Sequence, residues 1–486
     1  MKVSTNFGHD GKRGLEGDAE AFVGDATFDP SRREFGARAA ALALTTTIPA
    51  AAHAQGDAAQ QARAALVARL GVDLTPNGAE MAGNREGTIP AWAGGLTRPP
   101  TGWQPSMGYT DPFRGDRPIL RIDARNLEQH RDKVTPGLQA MFRRYPATFF
   151  LDIYPTRRSF ALPQAIYDAT RRQAATARLN GLGIEGYVGP GTPFPVPRTG
   201  VEAMYNHTTR FFGSVRTCRD WLPVRANGDF YRVGLCEDIV QGQNMVPRQD
   251  GILFSMFAHY DAPATLQGTI YLIHDSVDFT RGGRSAWIYN AGQRRVRRAP
   301  DLAYDNIDDG TEGMRTTDDY WGFQGSKARY DFNLVGKREM YIPYNAYRLQ
   351  DPSLKYADML ERGHIKSDLQ RYELHRVWVV DATLKPGMSH VLPRRTFYID
   401  EDSHTIALAD GYDSRGNMWR VYTYPLVQAY DAGVMFQAPF VTHDVSNGNF
   451  IVTGLTNERR QPAYTWGHMG RWADFQVDAI RRRGTR

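Results

Sequence analysis

Alternating apolar and polar positions dominate the chain from about Thr208 onward. Short apolar-rich runs recur there about every ten residues and are separated by turn signals such as Lys385-Pro386-Gly387. The runs are FYRVGL, ILFSMFAHY, GTIYLIHDSVDF, SAWIYNA, RRVRRA, DFNLVGKREMYI, YELHRVWVVDATL, RRTFYIDE, TIALADGYD and NMWRVYTYP. Because no helical period intervenes, we expect an antiparallel meander that curves into a barrel or a strongly bent sheet.

Helical periodicity is confined to the chain before that meander. Residues 60–70, 123–145 and 163–179 show it, and the run TFFLDIY between the last two is typical of a strand. Residues 74–95 contain so much glycine, proline and asparagine that we expect an ordered coil there. A later stretch, GLGIEGYVGPGTPFPVPRTG, matches the dinucleotide-binding pattern G-x-G-x-x-G. It follows a helix and runs into prolines, so we interpret it as a loop.

These differences in periodicity and local composition predict four segments. Residues 1–54 are expected to be an N-terminal extension with an export signal, and residues 55–120 a helix followed by an irregular arm. Residues 121–460 are expected to form the curved-sheet domain with a helical insert. Residues 461–486 are interpreted as a basic C-terminal helix or tail.

The N-terminal segment is typical of a twin-arginine export signal. Arg32 and Arg33 open the stretch SRREFGARAAALALTTTIPAAAHA, which is mildly apolar and ends in an Ala-x-Ala pattern at Ala54. We expect cleavage after Ala54 and a soluble periplasmic protein. The general secretory route stays open, and an amphipathic first helix of the domain is the alternative interpretation. No cysteine lies at the cleavage site, so we do not expect a lipoprotein.

Composition and charge narrow the possible partners. The chain is 41% hydrophobic, 23% charged and 12% aromatic, with a net charge of +6. So small a charge argues against a nucleic-acid-binding surface and is compatible with peripheral contact with anionic membranes. The most concentrated basic run is AGQRRVRRAP, which we interpret as a solvated edge that meets phosphate head groups. Its arginines are Arg294, Arg295, Arg297 and Arg298.

Cys218 and Cys236 are the two cysteines of the sequence. Strand-like runs flank both, and the turn-forming residues Ala-Asn-Gly-Asp lie between them. In an oxidising compartment this arrangement predicts a disulfide across a hairpin. Two separate buried thiols are the alternative.

The run RYELHRVWVV carries the densest set of chemically active side chains. Period-two alternation places Arg371, Glu373 and His375 on one face of the strand, and Tyr372 and Trp378 on the other. The polar face could belong to an exported enzyme. The interpretation that we favour is a polar ladder on one strand of a half-solvated sheet, whose apolar side lines a cavity or the core.

Other candidate chemistry is absent from the sequence. Histidine–aspartate neighbours occur three times, but no G-x-S-x-G, H-E-x-x-H or C-x-x-C motif accompanies them, so no catalytic residue, metal set or cofactor is nominated. The acidic residues 305–319 and the stretch DEDSHTIALADG lack the spacing of an EF-hand calcium loop. We expect residues 305–319 to form a polar loop rather than a calcium site.

Several motifs in order resemble one bacterial family, the domain of unknown function numbered 1329. They are LTPNGAEMAGNREGTIPAW, FPVPRTGVEAMYNH, WIYNAGQRRVRRAP, GKREMYIPYNAY, RYELHRVWVVDATL and RRTFYIDEDSHTIALADGYDSRGNMWR. The resemblance spans about residues 65–460. His404 and Phe332 depart from it, since the family generally has tryptophan at both positions.

The resemblance implies an α+β, mainly antiparallel fold like that of LolA and LolB. In that fold a strongly curved sheet forms an incomplete barrel around an apolar cavity, with helices as lid and plug. The implied function is a periplasmic carrier or chaperone that binds a lipid or other hydrophobic molecule and passes it toward the outer membrane. The expected partners are an inner-membrane permease of the resistance–nodulation–division type and an outer-membrane protein.

Aromatic residues of the strands are the candidates for the cavity or the core. They are Trp287, Tyr289, Tyr341, Tyr372, Trp378 and Trp419. Two alternatives to the carrier stay open. One is an exported enzyme that uses Arg371, Glu373 and His375, and the other is an envelope assembly factor without a ligand.

Overall fold

Strands supply most of the regular structure. A computed structural model describes residues 50–187, 189–279 and 283–484 of the chain. Up to residue 343 the strands are β1 (Leu120–Ile122), β2 (Leu151–Ile153), β3 (Arg178–Asn180), β4 (Gly183–Glu185), β5 (Val215–Val224), β6 (Val233–Gln241), β7 (Met245–Val246), β8 (Ile252–Ala262), β9 (Ile270–Ser276), β10 (Arg284–Asn290), β11 (Arg295–Arg298) and β12 (Tyr330–Pro343).

The later strands and the helices complete the regular elements. The strands are β13 (Leu360–Glu361), β14 (His364–Ile365), β15 (Tyr372–Leu384), β16 (Arg394–Asp400), β17 (Ile406–Tyr412), β18 (Met418–Thr423), β19 (Leu426–Ala429), β20 (Val434–Gln437), β21 (Phe440–Asp444), β22 (Phe450–Leu455), β23 (Tyr464–Trp466) and β24 (Gly470–Arg471). The helices are α1 (Ala50–Arg69), α2 (Pro136–Arg144), α3 (Gln164–Thr176), α4 (Gly200–Thr209), α5 (Tyr356–Met359) and α6 (Val477–Gly484).

One curved sheet organises these elements. Its strands follow the order β1-β2-β15-β16-β17-β18-β21-β22-β5-β6-β8-β9-β10-β11, with β12 added to β15 and β23 to β5. From β15 to β11 every neighbouring pair is antiparallel. The path ends at β1 and β11, so the barrel is incomplete, and the predicted mainly antiparallel, strongly curved sheet is confirmed.

The sheet is buried on both faces around β6. Leu235 and Glu237 turn to the concave side, and Val240 turns to the convex side, as alternation along a strand requires. The convex side carries a second apolar cluster, which is covered by Ile480 of α6 and by Phe475 of the preceding 3₁₀ turn, Trp472–Phe475. The C-terminal residues therefore complete the core, since a sheet with two apolar faces needs a layer on each.

Residues 123–145 do not form the single helix that their periodicity predicts. A 3₁₀ helix, Leu127–Lys133, is followed by the separate helix α2. Pro136 stands at the start of α2, where its missing N–H costs nothing, and Thr135 accepts a hydrogen bond from the Leu138 backbone N–H at 3.1 Å. The Thr-Pro pair thus begins a new helix.

The Gly/Pro-rich residues 71–117, which we name the arm, are ordered against the sheet. The side chain of Asn77 donates to the Asp402 backbone carbonyl at 2.8 Å, and Arg158 donates to the Glu80 carbonyl at 2.7 Å. Gly78 has a φ of +102°, and a Cβ there would lie 2.3 Å from the Pro195 carbonyl oxygen, so this turn requires glycine. The arm is held by backbone groups rather than by regular structure.

Described residues from Gln55 onward belong to one compact unit. Arg32 and Arg33 lie outside the described residues, and Ala54 falls within α1. Among the helices of the described ranges, none combines the length and the apolar character needed to span a membrane.

Asp410 makes the folded state sensitive to pH. Its carboxylate is buried between β17 and α2 and accepts hydrogen bonds from the Gly137 backbone N–H and the Tyr398 hydroxyl, each at 3.1 Å. Burial raises the pKa of Asp410 to about 7 despite both hydrogen bonds. The folded state therefore favours the protonated acid far more than the unfolded chain does.

We expect the contribution of Asp410 to the free energy of unfolding to decrease as the pH rises from about 4 to about 7, by up to about 4 kcal/mol. The stabilising contribution of Asp410 is complete below the unfolded-state pKa and is lost as the pH passes the folded-state pKa. Urea denaturation between these pH values measures it. Asp410→Asn should flatten the profile, whereas Asp331→Asn, at a largely exposed carboxylate, should not. An unchanged slope in Asp410→Asn would contradict the assignment.

Candidate functional site

An internal segment fills much of the concave side of the sheet. This segment, residues 299–327, is named the plug and includes the 3₁₀ turns Pro300–Ala303 and Thr317–Gly322. The Trp321 ring lies 4.8 Å from the Phe212 ring and 5.4 Å from the Phe254 ring. The plug is therefore packed as part of the core.

A cavity of about 60 Å³ lies between the plug and the concave face of β5, β6, β8, β9 and β10. It has room for about four or five water-sized groups. Its wall is mainly apolar, and its polar groups lie together toward the plug. The lining residues are Trp221, Leu235, Glu237, Phe254, Met256, Ala258, Tyr260, Tyr271, Ile273, Arg284, Leu302, Asp308, Arg315, Thr317 and Tyr320.

Charges along the cavity are paired within the protein. Glu237 accepts a hydrogen bond from Arg219 Nε at 3.0 Å and another from the Tyr320 hydroxyl. Arg284 binds Asp275 with two hydrogen bonds of 2.6 and 2.9 Å. Burial raises the pKa of Tyr320, and the neighbouring Glu237 carboxylate raises it further. The polar side of the cavity is therefore close to neutral.

Arg315 supplies a polar group that the protein does not use. Its Nε donates to Asp308 at 2.7 Å, and its guanidinium carbon lies 4.4 Å from the centre of the Trp221 ring. Burial raises the pKa of Asp308, and Arg315 opposes that shift. Arg315 Nη1 is buried without a hydrogen-bond partner. The cavity thus offers an apolar wall and one free donor, which suits an apolar molecule that carries a single acceptor oxygen.

The six aromatic candidates pack in three hydrophobic clusters. Trp287 and Tyr289 lie in the convex cluster under α6, and Tyr341 and Tyr372 lie in the cluster that includes α2 residues. Trp378 and Trp419 are partly buried against the main core. Among the described lining residues of the cavity, none of the six occurs.

Arg371, Glu373 and His375 form one buried network. Arg371 Nε donates to Glu373 at 2.6 Å, and His375 Nε2 lies 3.2 Å from the other Glu373 oxygen. The ladder therefore runs along β15. The expectation of a half-solvated strand is wrong, because Arg371 and residues 372–377 of β15 are all buried. Asp116, near the end of the arm, accepts from Arg371 Nη2 at 2.8 Å and helps to cover this face.

The arginine run forms the end of a turn, at Arg294, and the edge strand β11, which contains Arg295, Arg297 and Arg298. All four arginines are exposed. Arg295 and Arg297 pair with β10 residues of the concave face, and Arg298 pairs with Trp287 of the convex face. The edge thus carries positive charge on both faces.

Cys218 and Cys236 are directly opposite on β5 and β6 and form a disulfide, which confirms the predicted pairing.

Residues 305–319 hold side chains that sequence patterns do not single out. Asp318 and Asp319 are buried and bind Arg395 at 2.7 and 3.0 Å, so this stretch is not the solvated polar loop that was expected. The sequence contains an indirect indication of buried charge on the concave side. Arg219 and Glu237 interrupt apolar strands at inward positions, which indicates buried charge but not its partner.

Comparison with known proteins places this geometry in a family. A family model described as "Protein of unknown function (DUF1329)" matches residues 121–481. The chain belongs to the DUF1329 family. An uncharacterized protein of Pseudomonas aeruginosa is 41% identical over 427 residues, which are 86% of this chain and 93% of the relative. The resemblance predicted from the motifs is confirmed.

Solved structures similar to this DUF1329 chain include three of low identity. A putative outer membrane lipoprotein-sorting protein domain from Vibrio parahaemolyticus has a TM-score of 0.39 and 13% identity, covering 56% of this chain and 92% of its own. A DUF1329 family protein from Desulfovibrio piger has a TM-score of 0.38 and 13% identity, and the match covers 55% of this chain and 92% of that protein. A LolA superfamily protein from Nitrosomonas europaea has a TM-score of 0.32 and 12% identity, and the match covers 55% of this chain and 91% of that protein. The strand pairing of this chain by itself defines the incomplete curved sheet.

Proposed function

We propose that the protein is a periplasmic carrier that binds a lipid or other hydrophobic molecule between the curved sheet and the plug. The observation that carries the proposal is the cavity, which combines a mainly apolar wall with internally paired charges. Burying apolar surface there gives affinity in proportion to its area, at about 25 cal/mol per Å². Arg315 Nη1 orients the ligand by donating to one oxygen of it.

Binding a long acyl chain requires the plug to move. The cavity of about 60 Å³ holds only a short part of such a chain. Tyr320, Trp321 and Phe323 occupy the adjacent interior, so their displacement would lengthen the cavity along the concave face. The plug is a candidate for this movement because residues 304–316 contain no helix or strand of their own.

The proposed route and partners rest on the predicted export signal and on the resemblance. The carrier would receive its ligand near an inner-membrane permease and pass it to an outer-membrane protein. Arg294, Arg295, Arg297 and Arg298 would meet anionic head groups along the β11 edge, each contributing about 1 kcal/mol near such a surface. The enzyme alternative is weaker, because Arg371, Glu373 and His375 are too buried to touch a substrate.

Quenching of tryptophan fluorescence by 9,10-dibromostearate tests the carrier. Trp221 lines the cavity, so bound dibromostearate should quench it by contact. Ala258→Leu fills part of the cavity and should weaken binding by at least about tenfold, since it removes space for several methylene groups. Phe257→Trp changes the next residue on the opposite face of β8 and serves as the matched control.

Trp221→Phe should remove the quenchable signal while calorimetry still detects binding. Equal affinity in Ala258→Leu and the wild-type protein, with thermal stability preserved in both, would show that the ligand binds elsewhere. Absence of saturable binding of dibromostearate by calorimetry would reject the carrier.

A further inference from the structure

Donor atoms of three buried side chains converge beneath the arm, at a place separate from the cavity. His375 lies on β15, Asp400 ends β16, and Asp402 follows in the connection to β17. One donor atom from each lies within 4.8 Å of the others, and all three residues are buried. His375 Nδ1 is 3.7 Å from Asp400 Oδ1.

Neighbouring groups orient these donors toward one another. Glu373 Oε2 lies 3.2 Å from His375 Nε2, so a proton on Nε2 donates to the carboxylate and leaves the lone pair of Nδ1 toward Asp400. Asp400 Oδ2 accepts from the Ser403 backbone N–H at 2.9 Å and from its hydroxyl at 2.6 Å. A carboxylate behind the imidazole is the arrangement that orients histidine ligands in metal sites.

Two polar atoms at this place lack a partner. Asp400 Oδ1 and the Tyr344 hydroxyl are both buried without a hydrogen bond, and both residues are fully inaccessible to solvent. The Tyr344 ring stacks on His375 with 3.9 Å between centroids. Buried polar atoms without partners are rare and indicate a missing ligand.

The local charge also favours a cation. Among the described residues, Glu373 pairs with Arg371 and Asp402 pairs with Arg158, which leaves Asp400 without a lysine or arginine partner. The surrounding ion pairs do not supply a free cation, because each pairs one positive side chain with one negative side chain. These pairs are Asp116 with Arg157, Glu401 with Lys337 and Glu80 with Arg376.

We propose that His375, Asp400 and Asp402 bind a divalent first-row transition-metal ion such as Zn²⁺. An imidazole nitrogen with oxygen ligands suits Zn²⁺ or Mn²⁺ better than Ca²⁺, which takes oxygen ligands alone. Two atoms bound to one tetrahedral Zn²⁺ lie about 3.4 Å apart, so the His375–Asp400 pair at 3.7 Å fits, and the most distant pair of donor atoms must approach by up to about 1.4 Å.

The role of this ion is structural. Asp402 binds Arg158 through both oxygens, and its backbone carbonyl accepts from Asn77 of the arm. An ion at His375, Asp400 and Asp402 would therefore join β15, the β16–β17 connection and the arm. Metal binding would be coupled to closure of the arm.

Metal content and thermal stability test the site. Protein purified without chelators should contain about one transition-metal ion per chain by mass spectrometry of the elements. Protein refolded from urea with a chelator should unfold several degrees lower than protein refolded with ZnCl₂ or MnCl₂. Asp400→Asn, nearly isosteric, should lose both the ion and the metal-dependent increase in Tm. His443→Gln, at a buried histidine of β21, should retain both.

Three results would overturn the proposal. The first is wild-type protein that neither contains an ion nor gains stability from ZnCl₂, MnCl₂ or FeSO₄ on refolding. The second is the same ion content in Asp400→Asn as in the wild-type protein. The third result applies if Asp400→Asn fails to fold. Anomalous scattering from wild-type crystals grown with ZnCl₂ then shows where the ion binds. A peak between His375 and Asp400 supports the site, and a peak elsewhere or none rejects it.

Discussion

Arg395→Met is expected to lower the free energy of unfolding by about 3–5 kcal/mol, because it leaves two buried carboxylates without their cation. Arg395 is 1% exposed and is anchored on β16. Its guanidinium donates to Asp318 at 2.7 Å and to Asp319 at 3.0 Å, both in the plug. Urea denaturation of the folded protein measures the loss.

The neighbouring residue is the matched control. Arg394 also pairs with an aspartate, Asp381 at 3.0 Å, but its side chain is 49% exposed. Arg394→Met should therefore change the free energy of unfolding by less than about 1 kcal/mol. Similar losses in both variants would mean that the burial of Arg395 does not determine its contribution.

Neutralising the two carboxylates that Arg395→Met leaves unpaired should restore part of the lost free energy of unfolding. Combining Arg395→Met with Asp318→Asn and Asp319→Asn replaces an uncompensated pair of charges by neutral groups that still form hydrogen bonds. If this triple variant is no more stable than Arg395→Met alone, the cost comes from lost packing against Phe323 and Tyr330 instead. Because the interaction joins sheet and plug, Arg395→Met should also accelerate hydrogen exchange in residues 304–316.

Arg158→Met should have the second large effect on stability, and we expect it to detach the arm from the sheet. Arg158 is buried and binds Asp402 at 2.6 and 3.0 Å. It also donates to the backbone carbonyls of Glu80, Met81 and Pro90 at 2.7, 3.1 and 3.3 Å. The substitution leaves Asp402 uncompensated and removes three hydrogen bonds to carbonyls of the arm, so the free energy of unfolding should fall by about 3–5 kcal/mol.

Limited proteolysis distinguishes detachment of the arm from a general loss of stability. Trypsin should cleave after Arg85 in Arg158→Met under conditions where the wild-type arm resists. Arg131→Met removes a pair with Glu128 in which both side chains are more than half exposed, and it should leave both stability and cleavage nearly unchanged. Cleavage at equal rates in Arg158→Met and the wild-type protein would show that the arm does not depend on Arg158.

Local patterns predicted the sheet well because strands depend on short-range alternation. The run from Tyr372 to Leu384 was assigned to a strand, and β15 spans those residues. The disulfide followed for a similar reason, since Cys218 and Cys236 lie on adjacent strands joined by a short turn. The predicted helix over residues 123–145 was wrong because Thr135 and Pro136 interrupt a continuous periodicity with a new N-terminus.

The candidate site was harder to predict, because alternation shows which residues share a face but not what covers that face. Glu373 and His375 were placed correctly on one side of a strand, and the arm that buries that side comes from far away in sequence. Arg158 and Asp402, for example, are 244 residues apart. No spacing rule covers such a pair, so the convergence of His375, Asp400 and Asp402 could not be found in the sequence.

The sequence by itself therefore determined the family, the antiparallel meander and the hairpin disulfide, since each depends on motifs or on neighbours along a strand. Only the tertiary structure decided that residues 299–327 enter the concave side, and that the charges of Asp318 and Asp319 are buried there against Arg395. The reason is physical. A charged segment is stable in an interior only when its partners are positioned by distant strands, and chain folding alone brings those partners together.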